Sequence, residues 1–265
     1  RKIPFVIVFS NLKSTLFGIC IFSHYFRTVS RGYRVVYPEG YTVFMKLIID
    51  MLPTSEAISD KRVRNDLNLF INALLTGKKT DLSKENLYLI NRVEQAIQKA
   101  KSGKKIIRYS ELINLAQFGA GSIGLFLAAL FETKSLAKIS ETLFIARFII
   151  QLAVQADRYK NLLPEDLLET ANMKRCQISS HTEPMIFNEL FRRAAGMIEE
   201  IPQPFDRVHN KDFRNYLYRH KLLTQKYIRK LSNQNPIGSE LHLSWWEILA
   251  YKSGLRSTWT EIGGS

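Results

Sequence analysis

YSELINLAQFGAGSIGLFLAALF, residues 109–131, and SLAKISETLFIARFIIQLAVQADRY, residues 135–159, decide the fold of this chain. Both are apolar on most helical faces, and a helix that is greasy all round belongs in the centre of a bundle. The purely apolar part of the first, Ala116–Phe131, contains Gln117 and falls short of the roughly 18 residues a spanning helix needs. It is therefore read as a core helix, as are the apolar runs Ile3–Phe9 and Thr15–Phe22; peripheral membrane contact is the lesser alternative. Neither long helix carries a pair of carboxylates.

Working outward, amphipathic helices flank this pair on both sides. Val43, Leu47, Ile48, Met51 and Leu52 keep the 3.6-residue period until Pro53 stops it. Val63, Leu67, Phe70, Ile71 and Leu74 make a second stripe, closed by Gly77. Asp81-Leu82-Ser83 is a start signal for a helix over Glu85–Ala100, with Leu87, Ile90, Val93 and Ile97 inward. Downstream, Leu163-Pro164-Glu165-Asp166-Leu167 opens a helix with proline and acids at its positive end. Phe187–Ile201 and the basic Phe213–Leu231 follow, then a turn over Asn233–Gly238 and a last helix over Leu243–Leu255. No repeat or long linker interrupts the order, so the expectation is one all-α helical bundle over residues 1–265.

The chain has 265 residues, 38 Lys plus Arg and 24 Asp plus Glu, for a net charge of +14. Such a balance favours polyanionic partners: RNA, anionic lipid or acidic protein. Cys20 and Cys176 stand alone, which excludes a disulfide framework and a cysteine zinc site. His24, His181, His209, His220 and His242 show no metal-ligand spacing, and no metal or cofactor is expected. Asp166 and Glu169 share a helix face, but helix N-termini attract acids anyway; Glu199 and Glu200 point apart and read as solvated.

Tyr109-Ser110-Glu111-Leu112 followed by Ala120-Gly121-Ser122-Ile123-Gly124 resembles the "Y-x-x-L…A-G-S-x-G" helix of squalene and phytoene synthases. Leu143-Phe144-Ile145-Ala146-Arg147-Phe148-Ile149-Ile150-Gln151-Leu152 resembles their second catalytic helix, and Leu162-Leu163-Pro164-Glu165-Asp166-Leu167 their "L-P-x-D-L" turn. Arg192-Arg193-Ala194-Ala195-Gly196-Met197-Ile198 is similar to the next helix. The matches run from about Val43 to Leu255, leaving residues 1–40 weakly matched. The resemblance implies an isoprenoid synthase fold in which paired acids hold Mg²⁺ against a diphosphate.

Those acids are missing. Val154, Asp157 and Arg158 stand where the second acidic motif is expected. Upstream, Tyr25-Phe26-Arg27-Thr28 resembles the start of the first motif, and Ser30, Arg31 and Arg34 occupy its acidic positions. Mg²⁺ requires anionic oxygen ligands, and arginines there repel it. The family implied is thus a non-catalytic one, similar to the mitochondrial branch that assists assembly of respiratory complex I. Asn235-Pro236, Leu241-His242-Leu243-Ser244-Trp245-Trp246 and Tyr251-Lys252-Ser253 resemble the ending of that branch. It implies an accessory or assembly subunit of a large complex, in the mitochondrial matrix or on the matrix face of the inner membrane.

The strongest signal outside the resemblance is Arg207–Lys230. Arg207, Lys211, Arg214, Arg219, Lys221, Lys226, Arg229 and Lys230 interleave with Tyr218 and other aromatics. With Phe213, Leu217, Tyr227 and Leu231 inward, these cations are expected outward, where they suit protein partners or ribosomal RNA. DNA is not an expected partner. A mitochondrial ribosome-associated RNA-binding protein is the first alternative, and an isoprenoid carrier or residual prenyltransferase the second.

Overall fold

The structure is a computed structural model that describes residues 60–179, 185–201, 210–232 and 234–239, with Ile48, 51–53, Ile58, Leu241 and Leu243. The chain divides into two units, Tyr37–Leu243 and Arg1–Val36 together with Ser244–Ser265. Everything described below belongs to the first. Ser30, Arg31, Arg34 and Arg207, and the expected helix over Leu243–Leu255 apart from its first residue, lie outside the described residues.

Among the described residues the fold is all-α, with no strand. Helix α1 spans Lys61–Thr76 and α2 spans Lys84–Lys101. Asp60 caps α1 through its carboxylate, and Gly77 ends it at φ 71, a left-handed position that glycine takes without penalty. Ser83 caps α2, as the Asp-Leu-Ser signal implies, its hydroxyl accepting from the Asn86 N–H.

The 109–131 stretch is one helical rod of three parts. Helix α3 (Tyr109–Ala116) passes into a π-helical turn (Gln117–Gly121) and then α4 (Ser122–Leu130). Taken together, Tyr109–Leu130 is 22 residues long and apolar enough to cross a membrane by length and composition. The helix is longer than its purely apolar part, Ala116–Phe131, because Tyr109–Leu115 continues it. Two-thirds of its most apolar 18-residue window is buried inside the fold, as for the core helix of a bundle.

Helix α5 (Ala137–Val154) is the centre of the bundle; from Leu143 to Val154 only Gln151 is not buried. It packs against α4, the π turn, α7 (Met185–Glu199) and α8 (Lys211–Leu231). Helix α6 (Glu165–Thr170) is a short connector between them. Burying a large apolar side chain stabilises by about 1.5–3 kcal/mol. Phe70, Phe126, Phe144, Phe148, Phe187, Phe191 and Phe213 are all fully enclosed. Phe70 stacks on Phe126 with centroids 3.6 Å apart, and Phe131 on Phe213 at 5.0 Å.

Two features position α4 and α6. A Cβ on Gly124 would lie 2.7 Å from the Ser140 carbonyl oxygen, so α4 and α5 touch backbone to backbone there. Near α6, the half-buried Arg175 guanidinium donates to the carbonyls of Lys160, Leu163 and Ile106 and pairs with Glu165 at 2.5 Å. Its hydrogen bond holds the Glu165 carboxyl below the usual range. Asp166 accepts from the Tyr109 N–H at 2.9 Å, capping α3. The Asp166 and Glu169 pair of the sequence is thus split: one caps a neighbouring helix and the other is exposed.

Candidate functional site

Helix α5 stops at Val154, five residues before the end the sequence pattern gives. Val154 is buried, and its carbonyl accepts from the Gly238 N–H at 2.8 Å, so the last turn is tied to a distant loop. Asp157 and Arg158 follow in a turn, both exposed. The three positions therefore do not share a helical face. One carboxylate beside a guanidinium, with Val154 facing the core, does not fit Mg²⁺, which takes oxygen ligands near octahedral geometry. Among the described residues, no three His, Cys, Asp or Glu side chains gather where they could hold a metal ion.

Helix α8 carries the expected cations, but not all outward. Phe213, Leu217, Tyr227 and Leu231 are buried, as their spacing implies. Lys211, Arg229 and Lys230 are exposed, while Arg214, Tyr218 and Arg219 are half-buried. Lys221 and Lys226 correct the expectation: they are 2% and 8% exposed. Lys221 lies four residues after Leu217, on the buried stripe itself. Its aliphatic stem packs inward and its ammonium donates to the Ile201 carbonyl at 3.3 Å, just beyond α7. A cation belongs there, at the negative end of a helix.

Between α5 and α8 the structure gathers a buried polar cluster that charge counting alone does not reveal. Arg147 is 8% exposed and sits over the Tyr227 ring, 4.7 Å from its centroid. Its Nη1 has no hydrogen-bond partner. Burial lowers its pKa, opposed by Tyr227 and Tyr216. His220 stacks on Phe144 with centroids 5.1 Å apart and leans on Tyr216 at 4.4 Å. The Tyr216 hydroxyl donates to the Met51 carbonyl. Burial raises the Tyr216 pKa well above its ordinary value.

His220 is only half-buried as a residue, yet its Nδ1 is shut off from solvent without a partner. Desolvation, then the charges of Arg147 and Arg219, push its pKa down to about 3. The imidazole is thus neutral and aromatic at ordinary pH. The sequence signal for this cluster was a single cation inside an apolar run, Phe144-Ile145-Ala146-Arg147-Phe148.

Two further constellations are polar but structural. On α7, Glu189 accepts from Arg192 at 2.7 Å and Arg193 at 2.6 Å, which holds its carboxyl at about 2. Arg193 lies 3.9 Å from the centroid of Tyr109, whose pKa burial pushes up to about 12. A groove of about 430 Å³ is lined by Asp60, Asp66, Asp81, Glu85 and Glu132, among others. Asp60 is occupied there as a helix cap.

On α2, Arg92 lies between two rings, 5.9 Å from the Tyr88 centroid and 4.9 Å from that of Phe118. Its Nη2 donates to the Gln117 carbonyl at 3.3 Å, which joins α2 to the π turn. Sequence reading did not single out this group, because Phe118 belongs to the apolar rod. No family model, curated protein or solved structure matches the chain.

Proposed function

We propose that the chain is a non-catalytic protein of the squalene/phytoene synthase type, working as an accessory or assembly subunit of a large mitochondrial complex. It acts by shape and charge: an all-α body of the isoprenoid synthase kind, in the matrix or on the matrix face of the inner membrane. Its partners are protein subunits of that complex, with RNA as a further ligand. The observation that carries this reading is the end of α5. Val154 is packed into the core, and Asp157 and Arg158 lie beyond the helix on the surface. The carboxylates that the resemblance asks for have no counterpart there, while the resemblance over Tyr109–Gly124 supports the scaffold reading.

The carrier reading needs room for a prenyl chain beside the central helices. The backbone contact of Gly124 on Ser140 closes the α4–α5 seam at that level and counts against it. The ribosomal reading draws support from the net charge of +14 and from the ring-flanked Arg92.

Incubation of the full chain with prenyl diphosphates and Mg²⁺ is expected to give no product beyond the protein-free control. Turnover that disappears in Asp157→Ala would sink the non-catalytic reading.

A further inference from the structure

The exposed side of α2 combines charge and ring faces in one line. Lys84, Tyr88, Arg92, Gln95 and Lys99 follow i, i+4, i+8, i+11 and i+15, which places them on a single stripe. This stripe faces away from the buried residues Leu89, Val93 and Ala96. Lys84, Tyr88, Gln95 and Lys99 are exposed, with Tyr88 at 61%, and Phe118 stands beside the stripe at 38%. Of the two acids of α2, Glu94 lies off it, while the exposed Glu85 stands at its N-terminal edge. Glu94 is held by Lys79 at 2.6 Å, and Glu85 lines the acidic groove.

We propose that this stripe, with Phe118, binds single-stranded polynucleotide: phosphates on Lys84, Arg92 and Lys99, and bases on the faces of Tyr88 and Phe118. From Lys84 to Lys99 the helix rises about 22 Å, enough to follow several nucleotides. Every base has a π-face, so stacking on tyrosine and phenylalanine tolerates sequence, and the cations supply the backbone attraction. Arg92 is held by the Gln117 carbonyl, which sets the guanidinium beside the Phe118 ring before any ligand arrives. The π turn presents Phe118 at the surface while Gly119, Ala120 and Gly121 stay buried.

Protein interfaces also favour Tyr, Phe and Arg, so an acidic protein is the competing occupant, and the spacing of cations and rings along one helical line is what favours a polynucleotide. Helix α8, the basic element the sequence points to, is a poorer candidate because Lys221 and Lys226 are turned into the fold. The site does not depend on the scaffold reading, since an enzyme or a scaffold would carry it equally.

The test is fluorescence anisotropy of the full chain with labelled 12-nucleotide single-stranded RNA and DNA of the same sequence, across a salt series. Either strand binding through this face supports the site, and the two arms show which sugar it prefers. Tyr88→Ala and Phe118→Ala are each expected to weaken binding about 5- to 100-fold, the loss of one stacked base. Lys84→Gln with Lys99→Gln is expected to lower the slope of log K against log salt by about 1.4, two single-strand phosphate contacts.

Arg229→Gln with Lys230→Gln on α8 should leave the ring-dependent binding in place. Thermal melting of each variant separates lost contacts from lost fold, and Tyr88, the more exposed ring, keeps the test valid if Phe118→Ala unfolds. Three results would overturn the proposal: no binding at low salt, binding that follows the α8 pair and ignores Tyr88, or capture of an acidic protein that needs the lysines and not the rings.

Discussion

Gly124→Ala is expected to lower the stability of the fold by about 2 kcal/mol, within the range that overpacking a core costs. Alanine by itself favours a helix over glycine by about 1 kcal/mol, so the loss must come from the contact. The new Cβ would sit 2.7 Å from the Ser140 carbonyl oxygen, 2.8 Å from its carbon and 2.9 Å from the Glu141 nitrogen. All three are backbone atoms of α5 and cannot rotate aside. Helices α4 and α5 must part, and Phe126 and Phe144, both fully buried, lose packing with them.

Gly196 on α7 is the control. A Cβ there meets nothing within 4 Å. Gly196→Ala should therefore stabilise, by about 0.4–1 kcal/mol, through reduced freedom of the unfolded chain. Urea or thermal denaturation of both variants beside the parent chain measures the difference. Equal stabilisation by the two substitutions would contradict the backbone contact at Gly124.

Acidification is expected to destabilise the fold well before the carboxylates titrate, because of His220. Its pKa is about 3 in the folded state, depressed from the ordinary 6.5. The unfolded chain therefore takes up a proton at this residue as pH falls below 6.5, while the folded chain does not. Stability is complete above 6.5 and falls by at most about 1.4 kcal/mol per pH unit down to about 3. Solvent that reaches the half-buried residue makes the real slope smaller.

His220→Phe keeps a ring on Phe144 and Tyr216 and removes the titration. Its stability should hold from pH 7 to about pH 5, where the parent chain has already lost part of its own. Below that the variant weakens too, as Glu189, held at about 2, is left deprotonated in the fold but protonated in the unfolded chain, while the parent keeps the added loss from His220 down to about pH 3. Denaturant midpoints at pH 7, 6 and 5 decide the matter. Parallel curves for parent and variant would show that His220 is not shut away from protons.

The helices were legible where caps and stripes agree. Ser83 and Gly77 bound α2 and α1 as their chemistry implies, and the stripe Leu67, Phe70 and Leu74 is buried as spaced. The end of α5 was not legible. Val154-Gln155-Ala156-Asp157 contains neither glycine nor proline, and the helix is closed by a loop 84 residues on, through the Gly238 N–H. That tertiary bond moved Asp157 and Arg158 out of the helix and changed the geometry of the candidate metal site.

The π turn was signalled only by three small residues, Gly119, Ala120 and Gly121. Small residues let helices approach closely, but a change of helix type has no periodicity of its own. Lys221 shows the opposite failure. Its position on the stripe of Phe213 and Leu217 was visible in the sequence, and its charge outweighed its spacing in the reading. The carbonyl that receives it, that of Ile201, lies 20 residues upstream and could be known only from the fold.

The proposed role of this helical body is that of a non-catalytic part of a larger mitochondrial complex. Native sedimentation of mitochondrial extract, with and without RNase, tests it most directly when each fraction is probed for this chain and its companions are identified. Migration with a large assembly, far ahead of a free monomer, and with a fixed set of companion subunits is the expected result. Migration as a free monomer under both conditions would contradict that role.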